Sequence, residues 1–396
     1  MRFAKPAKLV FSAVLVAAFV LLGLLFSAHT PIYNPYGSGA GGEIRFARAM
    51  VVSIGEQSIT PSSFPGLYTG RQIAQVRVLD GVYKGRQFEL YNALNYDSNY
   101  VLHNGQNVVV SLNASTGGKT LVTCYLYAPG RALPLLLLLG LFAAALCLVG
   151  GRRGFYSLLG LVFTVASVAL YFIPLLYRGV PPVAATMLLA AVCACVTLFL
   201  VGGWNRKSLC AVLGTVAGVA VSVLLLLLFG GALQVSGYTS SDTDALLNIA
   251  GQCRLQVKDL LFSGVVISSL GAVMDIAISI ASTLSELHAQ NPGAGFRELF
   301  RSGMNVGRDM MGTMTNTLIL AYLGSSLFAL ILMYSYQVQP LQLLNSSSIA
   351  IDLLEAACGS FAVILAVPLT SLLASRLLPG EPAAASEARS LTEAAR

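Results

Sequence analysis

Apolar residues in this chain gather into eight long runs, 9–26, 132–150, 155–176, 183–202, 209–233, 260–286, 310–334 and 349–375. Crossing a bilayer takes about 20 mostly apolar residues, so each run is a predicted spanning helix. The first resembles a signal peptide, because Arg2, Lys5 and Lys8 precede it. Phe26, however, stands where cleavage at Ala28 would need a small residue, and the run is read as a retained anchor.

Between the first two runs the pattern changes. Residues 72–79 and 86–91 alternate apolar and polar, the period of half-buried strands. Asn104-Gly105 is a tight-turn signal before a third strand at 106–112, and 121–127 reads as another. The segment holds nine of the sixteen tyrosines. Five or so short strands in this length predict a small barrel or sandwich, OB-like in outline. Such a domain is either a structural cap or one that receives or releases a ligand at the outer face.

The expected fold is therefore an α-helical polytopic membrane protein. It has about eight transmembrane helices and a small β-rich extracytoplasmic domain between the first two. Its parts are a basic start and anchor (1–26), the β domain (27–131), a seven-helix membrane domain (132–378) and a disordered cytoplasmic tail (379–396). Pro292, Gly293 and Gly295 break the chain before a turn with Phe296, Leu299, Phe300 and Met304 on one face. This predicts a short helix lying on the inner membrane surface. Pro174 is expected to kink or end the third span.

Composition agrees: 56% of residues are hydrophobic and 10% charged, against about 25% charged in soluble domains. The net charge of +7 does not point to nucleic acid, because the basic residues flank apolar runs. With the N-terminus inside, thirteen Lys and Arg fall on inner segments and three (Arg178, Arg254, Lys258) on short outer loops. That asymmetry obeys the positive-inside rule and predicts a multi-pass inner-membrane protein with both termini cytoplasmic. The seven cysteines include no CxxC pair. Cys193 and Cys195 read as small hydrophobes. Cys124 and Cys253 both fall outside, which leaves a disulfide between them open. The three histidines are scattered, and neither a metal site nor a cofactor is expected.

The sixth span carries the candidate chemistry. Gly264, Ser268, Gly271, Asp275, Ser279, Ser282 and Glu286 recur at steps of three and four, which lines one helical face. Asp275 lies near mid-span, where a carboxylate costs several kcal/mol. One reading makes it polar glue to a neighbouring helix; the other makes it a proton or cation relay on a solvated path. Thr313, Asn316 and Thr317 of the seventh span fall at depths near Ser279 and Ser282. Glu355 of the eighth lies about two turns from the outer surface, a candidate outer relay. The GxxxxGK[ST], GxSxG and HExxH patterns are absent, and no aspartyl-protease GxGD surrounds Asp275 or Asp352. The chain does not read as an enzyme.

Several blocks resemble the YibE/F family of bacterial membrane proteins. They are Gly271-Ala-Val-Met-Asp275-Ile-Ala-Ile-Ser279 through Glu286, Gly307-Arg308-Asp309-Met-Met-Gly312, and Asn316 through Tyr322 to Gly324. Ile173-Pro174…Gly179…Pro182 and Glu355…Gly359…Pro368 belong with them. The resemblance implies a permease without an assigned substrate. The sixth and seventh spans are also similar to the central helices of SecD/SecF and MMPL-type RND permeases, where a membrane carboxylate relays protons. Here four spans separate the outer domain from Asp275, against a usual two.

The function expected is an ion-coupled, proton-driven secondary permease. Asp275 and Glu355 would relay the ion, and Gly271, Ser279, Ser282, Thr313, Asn316 and Thr317 would line the path. The alternative is a non-transporting envelope factor that binds a partner through its outer β domain. Expected partners are the lipid bilayer and a small molecule or ion. An extracytoplasmic protein and a second copy of the chain remain open.

Overall fold

Strand pairing in the first half follows from alternation. Ala47, Ala49 and Val51, then Ala74, Val76 and Val78, then Val108, Val110 and Leu112 point to one side and are buried together with Leu90, Leu102 and Cys124. The computed structural model describes residues 5–30, 43–95, 98–114, 122–235, 243–251, 253–257 and 259–380. The expected tail beyond Gly380 and the start before Lys5 lie outside the described residues. The chain divides into two compact units, Asn34–Ala145 and Met1–Tyr33 with Leu146–Arg396.

The first unit is a closed five-stranded barrel: β1 (Glu43–Pro61), β2 (Tyr68–Val78), β3 (Gln87–Leu94), β4 (Asn107–Ala114) and β5 (Val122–Pro129). The order is β1-β2-β3-β5-β4, with β4 returning to β1. All pairs are antiparallel except β3 with β5. The longest strand, β1, is also the one whose alternation is hardest to read, because Phe46 and Val52 are apolar on its outward side and two register shifts interrupt it. At Gly70 (φ +127°) β2 passes so close to the Ser58 carbonyl that a Cβ would collide with it. The barrel also buries an amide pair, Gln72 and Asn92. Gln72 Oε1 accepts from Leu102 N (2.9 Å) and from Asn92 Nδ2 (3.2 Å), and Asn92 Nδ2 also donates to Tyr100 O (2.8 Å). These bonds satisfy side chains that would otherwise be costly to bury.

Cys124 is 4% exposed inside this core, its thiol pushed up to about 12 by burial. Cys124 and Cys253 are both free. The disulfide left open by the sequence would require Cys124 to leave its packed interior.

The second unit is helical. Its elements are α1 (Lys5–Ala28), α2 (Ala132–Ser167), α3 (Ile173–Tyr177), α4 (Pro182–Gly202), α5 (Arg206–Ala232), α6 (Thr243–Ala250), α7 (Leu260–Gln290), α8 (Phe296–Ser325), α9 (Leu327–Ser335), α10 (Pro340–Leu344) and α11 (Ser347–Leu377); the first part of α2 belongs to the barrel's unit. Five helices or helix runs among the described residues are long and apolar enough to cross a membrane, or six if α8 and α9, bent by 60° at their junction, count as one. Residues 12–28 form a shorter apolar helix.

The run Ala132–Tyr177 is 46 residues long, about 69 Å at 1.5 Å per residue, more than twice a bilayer core. Its continuity is interrupted at Gly151 (φ 54°, ψ −131°). A π-helical turn at Val168–Phe172 precedes Pro174. Proline has no N–H to return to Leu170, so the ladder slips and Ile173 N bonds Val168 O instead. This turn receives α1. Tyr171 stacks on Phe19 (4.4 Å) and donates to Phe19 O (2.9 Å), and the Arg178 guanidinium lies 3.8 Å over the Phe26 ring.

Helices α4, α5, α7 and α11 form the core, with α8 laid across α7 and α11. Small residues set the spacing. A Cβ at Gly214 would collide with Thr370, and one at Gly218 would crowd Ala366 and Val273. Ser222 Oγ donates to Cys358 O across the α5–α11 seam (3.3 Å). The short surface helix expected at 296–304 is the first part of α8. Leu299 is fully buried, and Gly303 and Gly307 lie against Ser371 and Val367. Of the apolar face that suggested a membrane-surface helix, Leu299 and Met304 pack on the core while Phe296 stays exposed.

Candidate functional site

Helix α7 has two faces. Val265, Val266, Leu270, Val273, Ile276, Ala277, Ile280 and Leu284 are buried against the core. The other face is the polar stripe read from the sequence. Gly264, Ser268, Gly271 and Asp275 are exposed, and Ser279 and Ser282 are half-buried. The 3.6-residue repeat thus puts a row of bulky residues toward the bundle, with Ser263 and Ser269 buried among them, and the glycine, serine and aspartate stripe on the other side.

On α8, the line of Met304, Met311, Met314 and Leu318 packs toward the core. Gly312, Thr313, Asn316 and Thr317 are on the exposed side. Thr313 Oγ1 donates to Met310 O and Thr317 Oγ1 to Thr313 O, both 2.9 Å, so these hydroxyls are satisfied within their own helix.

One bond ties the polar side chains of α7 and α8 together among the described residues. Ser268 Oγ and Tyr322 OH are 2.6 Å apart. A Cβ at Gly359 of α11 would come within 3.6 Å of the same phenol oxygen. Glu355, one turn away on α11 and half-buried, is within electrostatic reach of Tyr322, with Asp352 near it. The structure therefore joins Ser268 to Tyr322 beside Gly359 of α11, one turn from Glu355. Asp275 stands two turns along α7 from Ser268, on the same face, about 10 Å by helical rise. No hydrogen bond joins Asp275 to Thr313, Asn316 or Thr317 among the described residues.

Two features escape a reading of the sequence. Ser268 and Tyr322 were visible as members of their helices, but only the packing pairs them. Thr315 has a buried Oγ1 without a partner, and nothing in the spacing of α8 marks it. No group of three or more His, Cys, Asp or Glu that could hold a metal ion occurs among the described residues.

No curated protein and no solved structure matches the chain. The model of the YibE/F-like protein family matches residues 138–380, a stretch that holds α7, α8, α11 and every residue of this polar constellation. The chain belongs to the YibE/F-like family.

Proposed function

We propose that this protein is a secondary permease driven by an ion gradient, most simply of protons, with Asp275 as the membrane carboxylate that takes up and releases the ion. The observation that carries this reading is the Ser268–Tyr322 hydrogen bond. It links the stripe that holds Asp275 to the neighbourhood of Glu355. Glu355 serves as the outer relay. Gly271, Ser279 and Ser282 extend the path along α7, and Thr313, Asn316 and Thr317 extend it along α8.

The membrane arrangement that goes with this reading has eight spans. The 46-residue run is divided at Gly151 into two, α8 and α9 form one broken span, and α1 is the anchor. Arg152 and Arg153 then fall at an inner turn, beside the break that their position requires. The chain sits in the bacterial inner membrane with both termini inside and the barrel outside. Reconstituted protein with a pH-sensitive dye inside the vesicles tests the coupling. Candidate small molecules that collapse an imposed pH gradient through the native protein should fail to do so through Asp275→Asn. Equal dissipation by a folded Asn variant contradicts the relay.

A second reading has one observation in its favour. Tyr91 and Tyr125 are register partners on β3 and β5, and with Tyr127 and Phe46 they are 41–63% exposed on the outside of the barrel. Exposed aromatic patches commonly mark docking surfaces. In this reading an OB-like barrel holds an extracytoplasmic partner, and the helices anchor it. Deleting residues 30–130 would then abolish function while Asp275→Asn would not.

A further inference from the structure

The polar faces of α7 and α8 are uncovered within one chain. Gly264, Ser268, Gly271 and Asp275 on α7 are exposed, as are Gly312 and Asn316 on α8. A Cβ built at Gly264, Gly271 or Gly312 meets no atom within 4 Å, whereas those at Gly214, Gly218 and Gly307 meet close neighbours. Glycines of the second kind are explained by packing inside the chain; those of the first kind are not. A carboxylate at mid-helix facing hydrocarbon is costly, and small residues beside it permit close approach of another helix. The inner ends are charged in a complementary way. Glu286 on α7 and Arg301 and Arg308 on α8 are exposed. Among the described residues Arg48 pairs with Asp80 in the barrel, and Glu286, Arg301 and Arg308 make no such pair within the chain.

We infer that a second copy of this chain covers these faces. The two copies would be related by a two-fold axis along the membrane normal, with α7 of each against α8 of the other. This rests on the permease reading, because the second copy supplies the missing wall of the path. Such an axis preserves depth, and depth fixes the pairing. Ser268 meets Tyr322 at one end of the helix pair, and Leu284 meets Gly303 at the other. With equal rise along both helices, Asp275 lies about level with Thr313 and Glu286 about level with Arg301. Across the axis, Glu286 then faces the partner's Arg301, and Asp275 faces the turn from the partner's Gly312 to the partner's Asn316, where an amide is available to the carboxyl. The contact is isologous and closes as a dimer. Residues 132–150 of the same chain are the other apolar candidate to lie on this face. They carry no polar side chain except Cys147 and would leave Asp275 without a bond.

The test is the oligomeric state of the full-length protein in lipid nanodiscs, read by mass photometry. The native protein should be a dimer. Gly312→Leu and Gly264→Leu, at positions where a Cβ meets no atom of the chain within 4 Å, should lower the dimer fraction at least tenfold and leave a folded monomer. Arg301→Glu should do the same, and the swap Glu286→Arg with Arg301→Glu should restore the dimer. A photo-reactive residue replacing Gly264 should capture α8 or α9 of a second chain. A native protein that stays monomeric, a dimer indifferent to all these changes, or capture of residues 132–150 overturns the inference. Flux is measured separately. A monomer whose flux still depends on Asp275 overturns the dimer alone, and a dimer broken by Gly312→Leu whose flux ignores Asp275 overturns the relay alone.

Discussion

Tyr322 OH and Ser268 Oγ, 54 residues apart in sequence, stand 2.6 Å apart where α7, α8 and α11 converge. The bond joins an exposed serine of the Asp275 stripe to a phenol beside Glu355. Either oxygen can donate in this pair, and Ser268 Oγ also reaches Val265 O at 2.9 Å. Replacing Tyr322 by Phe removes one oxygen while keeping the ring. It should cost about 0.5–1.5 kcal/mol of stability, the worth of an ordinary hydrogen bond, and lower ion-coupled flux more than stability. A double-mutant cycle of Tyr322→Phe and Ser268→Ala should give a flux penalty for the double variant close to that of either single one. Additive losses would show that the two groups act independently.

The seam between α8 and α11 makes a sharper demand on volume. Val367 occupies the space a side chain at Gly307 would need. Gly307→Val should overpack the seam by about 1–3 kcal/mol, seen as a lowered thermal midpoint in detergent. Five residues on, Gly312→Leu should leave that midpoint unchanged or slightly raised, because a Cβ there is free and leucine is the better helix former.

In the barrel, Gln72 holds both the Leu102 amide and the Asn92 side chain. Gln72→Leu leaves the Leu102 N–H buried and unpaired, while Asn92 Nδ2 keeps its bond to Tyr100 O. The expected loss is about 1–3 kcal/mol for that unsatisfied group, measured as faster proteolysis of the segment 98–106 in the intact protein.

Acid should loosen the link between β1 and the turn after β2. The Arg48 side chain and backbone N–H both bond Asp80 at 2.7 Å and hold its carboxyl below the usual carboxylate range. A depressed folded value means the stabilisation is fully present above the unfolded value of about 3.9. It is lost as pH falls through the lower, folded value. The pair is largely exposed, so the effect is small, under about 1 kcal/mol. Asp80→Asn should abolish the part of the barrel's acid sensitivity that falls below pH 4, as read by tyrosine fluorescence.

Much of the architecture is legible in the sequence because the bilayer permits few solutions. Apolar runs and flanking arginines located the helices, and alternation located β2 to β5. Strand β1 was obscured by Phe46 and Val52 on its outer side and by its bulges. The 60° bend after α8 has no proline to announce it, and the merger of residues 296–304 into α8 depends on Gly303 and Gly307 meeting α11, a tertiary fact. The stripe on α7 was read correctly as a face, since periodicity alone specifies which residues share a side. What lies opposite that face is not written in one helix's spacing. The pairing of Ser268 with Tyr322 and the outward aspect of Asn316 emerge only when three helices are packed.

The central claim is that Asp275 exchanges protons inside the membrane, and the most direct measurement needs no substrate. Purified protein in lipid is treated with a hydrophobic carbodiimide, which attacks protonated carboxyls in apolar surroundings, across a pH series. Modified residues are then mapped by mass spectrometry. The account predicts that Asp275 is modified near neutral pH, and that raising the pH or adding a competing cation suppresses the reaction. Asp275 that stays unmodified at every pH, while carboxyls elsewhere in the folded protein react, would contradict it.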